Sequence, residues 1–476
     1  MNHVNPEYKR VTPAVIAELS AALGAANVHT DADAIERASS DETEDLVFAP
    51  EVVVTPDSTV GVSQVMRIAS AHRIPVTPRG AGTGLSGGAL PVHGGIALST
   101  MRLNRILEID RANLMAVVEP GVITQVFQEA VEAEGLFYPP DPASRGSCFL
   151  GGNLAECSGG PRAVKYGVTR DWVTGIEAVL PNGDVIHHGG KLLKNVTGYN
   201  LTQLIIGSEG TLAVITRIYF RLLPLPKHRT MLLVPFDDLA SCARAVPAIM
   251  HAGVVPSVLE FLEREAVQIT EEHLGRSFPR NDAAAHLLIE LDGNDEGVIA
   301  RDAERVAEIV LAAGASDVLA AESDSRMNDL WTMRRAVGAA VKSVSVYKEE
   351  DTVVPRSQLV PLLLGVKEIA GRHGIRTVCY GHAGDGNLHV NILKMDMPDD
   401  RWRLLLEPAI EEIFELTVRL GGMISGEHGI GWVQKRYMPI AMSGEELALM
   451  RAIKHAFDPH GILNPGKIFP DGNPGT

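Results

Sequence analysis

The sequence predicts an α+β protein of two domains closed by a short helical C-terminal segment. Three observations predict it. The chain has 476 residues, too many for one ordinary core. Strand-like apolar runs alternate with helix-like stretches on both sides of Pro224 and Pro226. No internal repeat or low-complexity tract interrupts them. The expected parts are a helical lead-in (1–44), a first α+β domain (45–226), a second (227–425) and a tail (426–476).

In the lead-in, Val15, Ile16, Leu19 and Leu23 recur at helical spacing. From Pro50 the pattern becomes strand, helix, strand: VVVTP, then a start signal at Asp57, Ser58 and Thr59 before VGVSQVMRIASAHR, then IPVTPRG. IALS, AVVEPG, IEAVLPNGDVI with an Asn182-Gly183 turn, and TLAVITRIYFRLLP add strands. Beyond the prolines, ARAVPAIMHAG and DAERVAEIVLAAG read as helices, and AHLLIEL and RTVCYGH as strands. The tail ends FDPHGILNPGKIFP, where Pro459, Gly461, Pro465 and Gly466 prevent regular structure, so it is expected to dock.

A net charge of −16 argues against a nucleic-acid partner, which needs clustered Lys and Arg. An acidic substrate would therefore need a local basic pocket. Four cysteines without a CxxC pair point to a reducing cytoplasm. MNHVNPEYKRVTPAVIAEL has no apolar signal-peptide core, and no stretch approaches the ~18 apolar residues of a membrane span. The expected location is cytoplasmic, with contact at the inner face of the membrane left open.

Gly82, Gly84 and Gly87 in PRGAGTGLSGGA have the spacing G-x-G-x-x-G. A Rossmann turn needs a helix next, but Pro91, Gly94 and Gly95 fall where that helix should propagate, so the reading fails. A tight loop and a nest of backbone N–H groups around a diphosphate remain, with Arg79 adding charge beside the nest. Two further glycine-rich runs, Gly151 to Trp172 and Ile206 to Thr216, favour wrapping one large ligand.

Taken in order, RGAGTGLSGGA, PPDPASRGSCFLGGNLAECSGG, KYGVTRDWVTGIEAVLPNGDV and GSEGTLAVIT resemble the FAD-binding domain of the vanillyl-alcohol-oxidase (PCMH) type. The resemblance implies an extended FAD whose diphosphate lies on Arg79, Gly80, Ala81, Gly82, Thr83 and Gly84 with Ser86 and Gly87. It implies that Gly151, Gly152, Ser158, Gly159, Gly160, Tyr166, Gly210 and Ile215 line the rest. Some members attach flavin to a histidine of the first glycine loop. Arg79 to Gly87 contains none, so non-covalent FAD is expected.

In VCYGHAGDGNLHVNIL a strand runs to His382, AGDGN turns the chain, and a second strand begins at Leu388, so His382 and His389 are expected roughly opposite each other. Alternation puts His389, Asn391 and Leu393 on one face. Downstream, glycines at 426, 429 and 431 surround Glu427 and His428 in ISGEHGIGW. Two imidazoles and a carboxylate are a usual set for a divalent metal with open positions, with zinc first and manganese or iron as alternatives. Asp385 is a spare ligand whose place at the turn tip favours a turn role.

GHAGDGNLHVNI, SGEHGIGWVQKRYM and FDPHGILNPGKIF resemble the FAD-linked D-2-hydroxy-acid dehydrogenases, which include D-lactate, D-2-hydroxyglutarate and glycolate-oxidising enzymes. The resemblance implies metal on His382, His389 and Glu427, His428 as the base, Asn391 facing substrate and Asn464 near the flavin ring. It also implies that Arg334 in LWTMRRAV and Lys348 in VYKEED bind the substrate carboxylate. Gly338 stands where the hydroxyglutarate enzymes tend to carry a hydroxyl residue, which weakens the case for the five-carbon diacid; the expected substrate is D-lactate-like. Expected partners are a small 2-hydroxy acid and an electron acceptor: an electron-transfer flavoprotein, a cytochrome or a quinone. A homodimer stays open. Two rival readings are a metal-dependent hydrolase and a flavin subunit of a glycolate-oxidase-type complex.

Overall fold

The computed structural model describes residues 8–321 and 323–472, so the first seven residues of the lead-in and the last four of the tail lie outside it. Thr12 caps the helix Pro13–Leu23, which buries Val15 and Leu19 and leaves Ile16 half-buried. Those two side chains join the core over a four-stranded sheet ordered Val28–His29, Val52–Val54, Ile96–Ser99, Val76–Arg79. Ser58 accepts the N–H of Gly61 and starts the helix Thr59–His72 between the second and last of these strands. The VVV run is buried throughout and pairs in parallel with the strand Ile96–Ser99.

The glycine run leaves the strand Val76–Arg79 and reaches the strand Ile96–Ser99 with no helix between, as Pro91 and the glycine pair require. A five-stranded antiparallel sheet follows, ordered Ile106–Asp110, Met115–Val118, Val214–Arg221, Val173–Val179, Val185–Gly189. Asn182 and Gly183 close its last hairpin. One element departs from a plain glycine loop: Leu150–Glu156 is a short helix, with Gly151 packed on Pro120.

The second half is a seven-stranded antiparallel sheet, ordered Leu319–Ala321, His228–Phe236, Ala285–Gly293, Val258–Glu263, Arg376–His382, Asn387–Leu393, Tyr347–Val353. One face packs against the helices Leu239–His251, Glu296–Ala313, Leu359–His373 and Asp399–Arg419, burying Cys379, Leu388, Val390 and Ile392. Each fully buried Leu or Ile there contributes roughly 1.5–3 kcal/mol. The other face packs against the helices Arg264–Leu274 and Asp324–Val344 and carries Tyr380 and Leu393.

The tail crosses back to the first domain. After the helix Gly444–Phe457 it runs without regular structure, Leu463 bridges to Val76, and the Asn464 N–H donates to the Val76 carbonyl at 2.7 Å. No helix among the described residues is long and apolar enough to cross a membrane.

Candidate active site

The hairpin positions the histidines. Its second strand starts at Asn387, and the register pairs His382 with Asn387 and His389 with Tyr380. The two histidines are therefore diagonal neighbours on one face rather than directly opposed, with ring centroids 5.2 Å apart. Asp385 stays in the turn, where it accepts the N–H of Asn387.

Glu427 completes the group. Its Oε1 lies 3.2 Å from His382 Nε2 and 3.6 Å from His389 Nε2, so both imidazoles aim at one carboxylate. Beyond it, the His428 ring stacks on His389 at 5.1 Å. Glu349, His389 and His428 form a second cluster that shares His389.

Three acids that motif reading did not pick out hold this group in place. Asp351 pairs with His389 across the sheet, and its Oδ2 accepts the N–H groups of Gly426, Glu427 and His428 at 2.9, 2.7 and 2.8 Å. Glu260, fully buried, accepts from His382 Nδ1 at 2.6 Å and from Arg334 Nε at 2.7 Å. Glu209 accepts the N–H groups of Ile430 and Gly431 at 2.8 and 2.6 Å, joining the GSEGT loop to the loop after His428.

Burial opposes charge on each group, and the neighbours decide the outcome. His382 is desolvated, yet Glu260 and Glu427 against its two nitrogens hold it well above the usual imidazole range. Desolvation and the nearby His428 bring His389 down to about 3, leaving a neutral ring with a lone pair to donate. Glu427 is buried, but His382, His389 and His428 lower it to about 2. His428 is raised despite burial by Asp351, Glu349 and Glu427. A neutral imidazole, an ionised carboxylate and His382, oriented by Glu260 and able to ligate once its Nε2 proton is released, form a donor set that fits a divalent ion. The buried, unpartnered Nδ1 of His389 faces Glu349 and Asp351 at 3.6 Å.

A cavity of about 560 Å³ connects this group to the glycine runs. Arg334, His382, His389, Glu427 and His428 line one part, and Arg79, Gly80, Ala81, Gly82, Thr83, Gly84, Gly151, Gly152, Ser158, Gly210 and Ile215 line another. Residues 50–189 match the family described as FAD binding domain, and residues 225–468 match FAD linked oxidases, C-terminal domain.

The chain belongs to the FAD-linked oxidase family. It is 42% identical over 432 residues to the glycolate oxidase subunit GlcD of Bacillus subtilis (strain 168), covering 90% of this chain and 91% of that protein. It is 38% identical to a D-lactate dehydrogenase of Anaerostipes hadrus, covering 88% and 89%. It is 34% identical to a D-2-hydroxyglutarate dehydrogenase of Stutzerimonas stutzeri (strain A1501), covering 96% and 99%. Among solved structures, p-cresol methylhydroxylase with substrate bound superimposes with a TM-score of 0.77 over 98% of each chain at 18% identity, which shows the shared fold alone. The chain is thus an FAD-linked oxidoreductase with the PCMH-type FAD-binding fold.

For an FAD-linked oxidase the glycine-lined part of the cavity is the place to test against the cofactor. A Cβ added at Gly84 or Gly152 would meet nothing within 4 Å, so both backbones face open space. Ser208 Oγ, Glu156 Oε2 and Arg79 Nη1 are buried without partners. These features fit a polar ligand of flavin size. The Arg79 charge is partly committed, since its Nη2 donates to the carbonyls of Arg37 and Ser40 at 3.1 and 2.6 Å.

Six expected flavin neighbours do not line the cavity. The Ser86 carbonyl accepts from Trp432 and Val433, and Gly87 packs on Trp432, so both face the tail. Gly159 backs Glu427: an added Cβ would sit 2.8 Å from Oε2. Gly160 abuts the Asp141 carbonyl. Tyr166 turns outward to Asp292 Oδ2 at 2.8 Å. Asn464 donates to the carbonyls of Gly88 and Glu209 at 3.0 and 2.8 Å, tying two glycine loops together.

Two residues expected to contact substrate lie off the cavity wall. Lys348 is absent from the cavity wall, because strand alternation turns Tyr347, Glu349 and Asp351 toward the histidines and Lys348 away from them, where it meets Glu44 at 3.6 Å. Asn391 shares the histidine face but is 0% exposed and lies beneath the wall, its side-chain oxygen and nitrogen both unpartnered. Arg334 does reach the cavity, with Nε and Nη2 engaged by Glu260 and its guanidinium over Tyr380.

Proposed function

We propose that this chain oxidises a D-lactate-like D-2-hydroxy acid to the 2-oxo acid, with non-covalent FAD in the glycine-lined part of the cavity and a divalent ion on His382, His389 and Glu427. The observation that carries the reading is the convergence of His382 Nε2 and His389 Nε2 on Glu427 Oε1 inside the cavity that the FAD-binding loops line. The names of the relatives, which include D-lactate and D-2-hydroxyglutarate dehydrogenases, support the substrate class.

FAD, when bound, supplies the acceptor for the C2 hydride. A divalent ion, when bound, supplies a Lewis acid that lowers the pKa of an attached hydroxyl, with zinc the first choice and manganese or iron the alternatives. His428 lines the cavity and takes the hydroxyl proton on its imidazole, where Asp351, Glu349 and Glu427 favour the imidazolium that results. Arg334 offers its remaining N–H groups to the substrate carboxylate, held in orientation by Glu260. Electrons then pass to an external acceptor, namely an electron-transfer flavoprotein, a cytochrome or a quinone.

A second reading, an FAD subunit of a glycolate-oxidase-type complex, is favoured by the exposed apolar loop carrying Leu193 and Val196, which are 76% and 98% exposed. The Bacillus relative is named as a glycolate oxidase subunit.

The test is anaerobic bleaching of the yellow protein by D-lactate. The expected result is bleaching by the isolated chain that disappears on dialysis against chelator and returns with Zn²⁺ or Mn²⁺. Bleaching that needs a partner supports the subunit reading. Bleaching that survives complete metal removal overturns the metal assignment.

A further inference from the structure

The carboxylate of Glu349 takes the wall position that a substrate-binding cation was expected to hold. The strand Tyr347–Val353 lies beside Asn387–Leu393, and Glu349 pairs with Asn391, one row from the Asp351 and His389 pair. Its Oε1 lies 3.6 Å from His389 Nδ1 and 3.4 Å from the Tyr380 hydroxyl. Glu349 lines the cavity with Tyr347, Tyr380 and Gly338 and clusters with His389 and His428, so a substrate held at the histidines lies beside an acid.

The cations nearby have partners. Arg334 gives two donors to Glu260, at 2.7 and 2.5 Å. Arg335 faces Asp141 at 3.5 Å, Lys342 faces Glu42 at 3.0 Å, and Lys348 points away toward Glu44. A substrate with one carboxylate needs one anchor, and Arg334 is available for it. A second carboxylate directed at Glu349 would meet a like charge; Arg335, which shares Asp141 with Arg145 and Arg162, and Lys342, paired with Glu42, also line the cavity.

Resting on the 2-hydroxy-acid reading, we propose that Glu349 is a specificity-determining residue that restricts the pocket to monocarboxylate 2-hydroxy acids and rejects those with a second carboxylate. A distal hydroxyl is accepted, because a carboxylate oxygen accepts its hydrogen bond.

The experiment compares kcat/KM of the full-length, FAD-loaded enzyme for D-2-hydroxybutyrate and D-malate, which have the same chain length and differ in a terminal methyl against a carboxylate. The wild type is expected to favour D-2-hydroxybutyrate by about 100-fold or more, the scale on which an unpaired buried group separates two substrates. Glu349→Gln should shrink the ratio about tenfold, and Glu349→Lys should bring it to unity or invert it. A wild type that oxidises D-malate as well as D-2-hydroxybutyrate overturns the proposal even if neither variant folds, as does an unchanged ratio in two FAD-loaded variants. Failure of D-lactate, glycolate and both test acids to reduce the flavin would instead overturn the 2-hydroxy-acid reading beneath it.

Discussion

Asp351 Oδ2 accepts the backbone N–H of Glu427 at 2.7 Å, so the third candidate metal ligand is placed through its main chain by an acid 76 residues earlier. The same oxygen takes the N–H groups of Gly426 and His428 and the Ser425 hydroxyl. Burial alone would raise this carboxyl, but His428, His389 and the N–H donors hold it far below the usual range, so the acceptor is an anion. Asp351→Asn presents an amide to four donors and loosens the loop. The expected outcome is a 10–100-fold loss of metal affinity and of flavin bleaching with FAD content unchanged, measured by elemental analysis and anaerobic spectroscopy.

Gly429→Ala is expected to inactivate without unfolding. Gly429 has φ +79°, and an added Cβ would collide with the Glu156 carboxylate next to Glu209. A left-handed backbone costs a non-glycine residue about 1 kcal/mol, a small loss for a protein of this size. The clash is relieved by turning the unpartnered Glu156 carboxylate, which lines the cavity, or by moving the loop that carries Glu427 and His428. A melting temperature within a few degrees of wild type, together with bleaching reduced about tenfold or more, is the outcome to look for.

Flavin is expected to leave with acid. The loop Arg79 to Gly87 has no histidine, and precipitation with trichloroacetic acid should put the yellow colour in the supernatant. A yellow pellet would show a covalent link elsewhere.

Stability is expected to fall with pH through His286. This ring sits on the strand Ala285–Gly293, hydrogen-bonds the Arg280 carbonyl through Nε2 at 2.9 Å, and has a buried, unpartnered Nδ1. Desolvation pushes it down to about 4 from an unfolded value near 6.5, with Arg280 and Asp282 nearby. The unfolded state therefore binds the extra proton between pH 6.5 and 4, and stability is lost as pH falls through that window, by about 3 kcal/mol at most. Urea midpoints at pH 7 and pH 4.5 should diverge less in His286→Phe than in the wild type.

The parts of the site that were legible in the sequence are those whose neighbours lie close along the chain. GHAGDGNLH folds back on itself, so the proximity of His382 and His389 follows from local turn chemistry. The absence of a helix after Gly82 to Gly87 followed from Pro91, Gly94 and Gly95. Glu260 and Asp351 were not legible, because one reaches His382 from 122 residues away and the other is joined to Glu427 by main-chain contacts that no side-chain pattern encodes. The run Lys348, Glu349, Glu350, Asp351 is polar at every position, so period-two alternation has no apolar reference to set its phase. Chemistry favoured Lys348 for an anion, but the pairing of Glu349 with Asn391 turned the acid inward instead.

In the proposed reaction the flavin and the His382, His389, Glu427 set act on one substrate in one cavity. Stopped-flow anaerobic reduction of the flavin by D-lactate, in wild type and in Glu427→Gln loaded with FAD to the same occupancy, tests it most directly. The expected result is full FAD binding by both and flavin reduction at least about 10²–10³-fold slower in the variant. Equal reduction rates in the two proteins would contradict it.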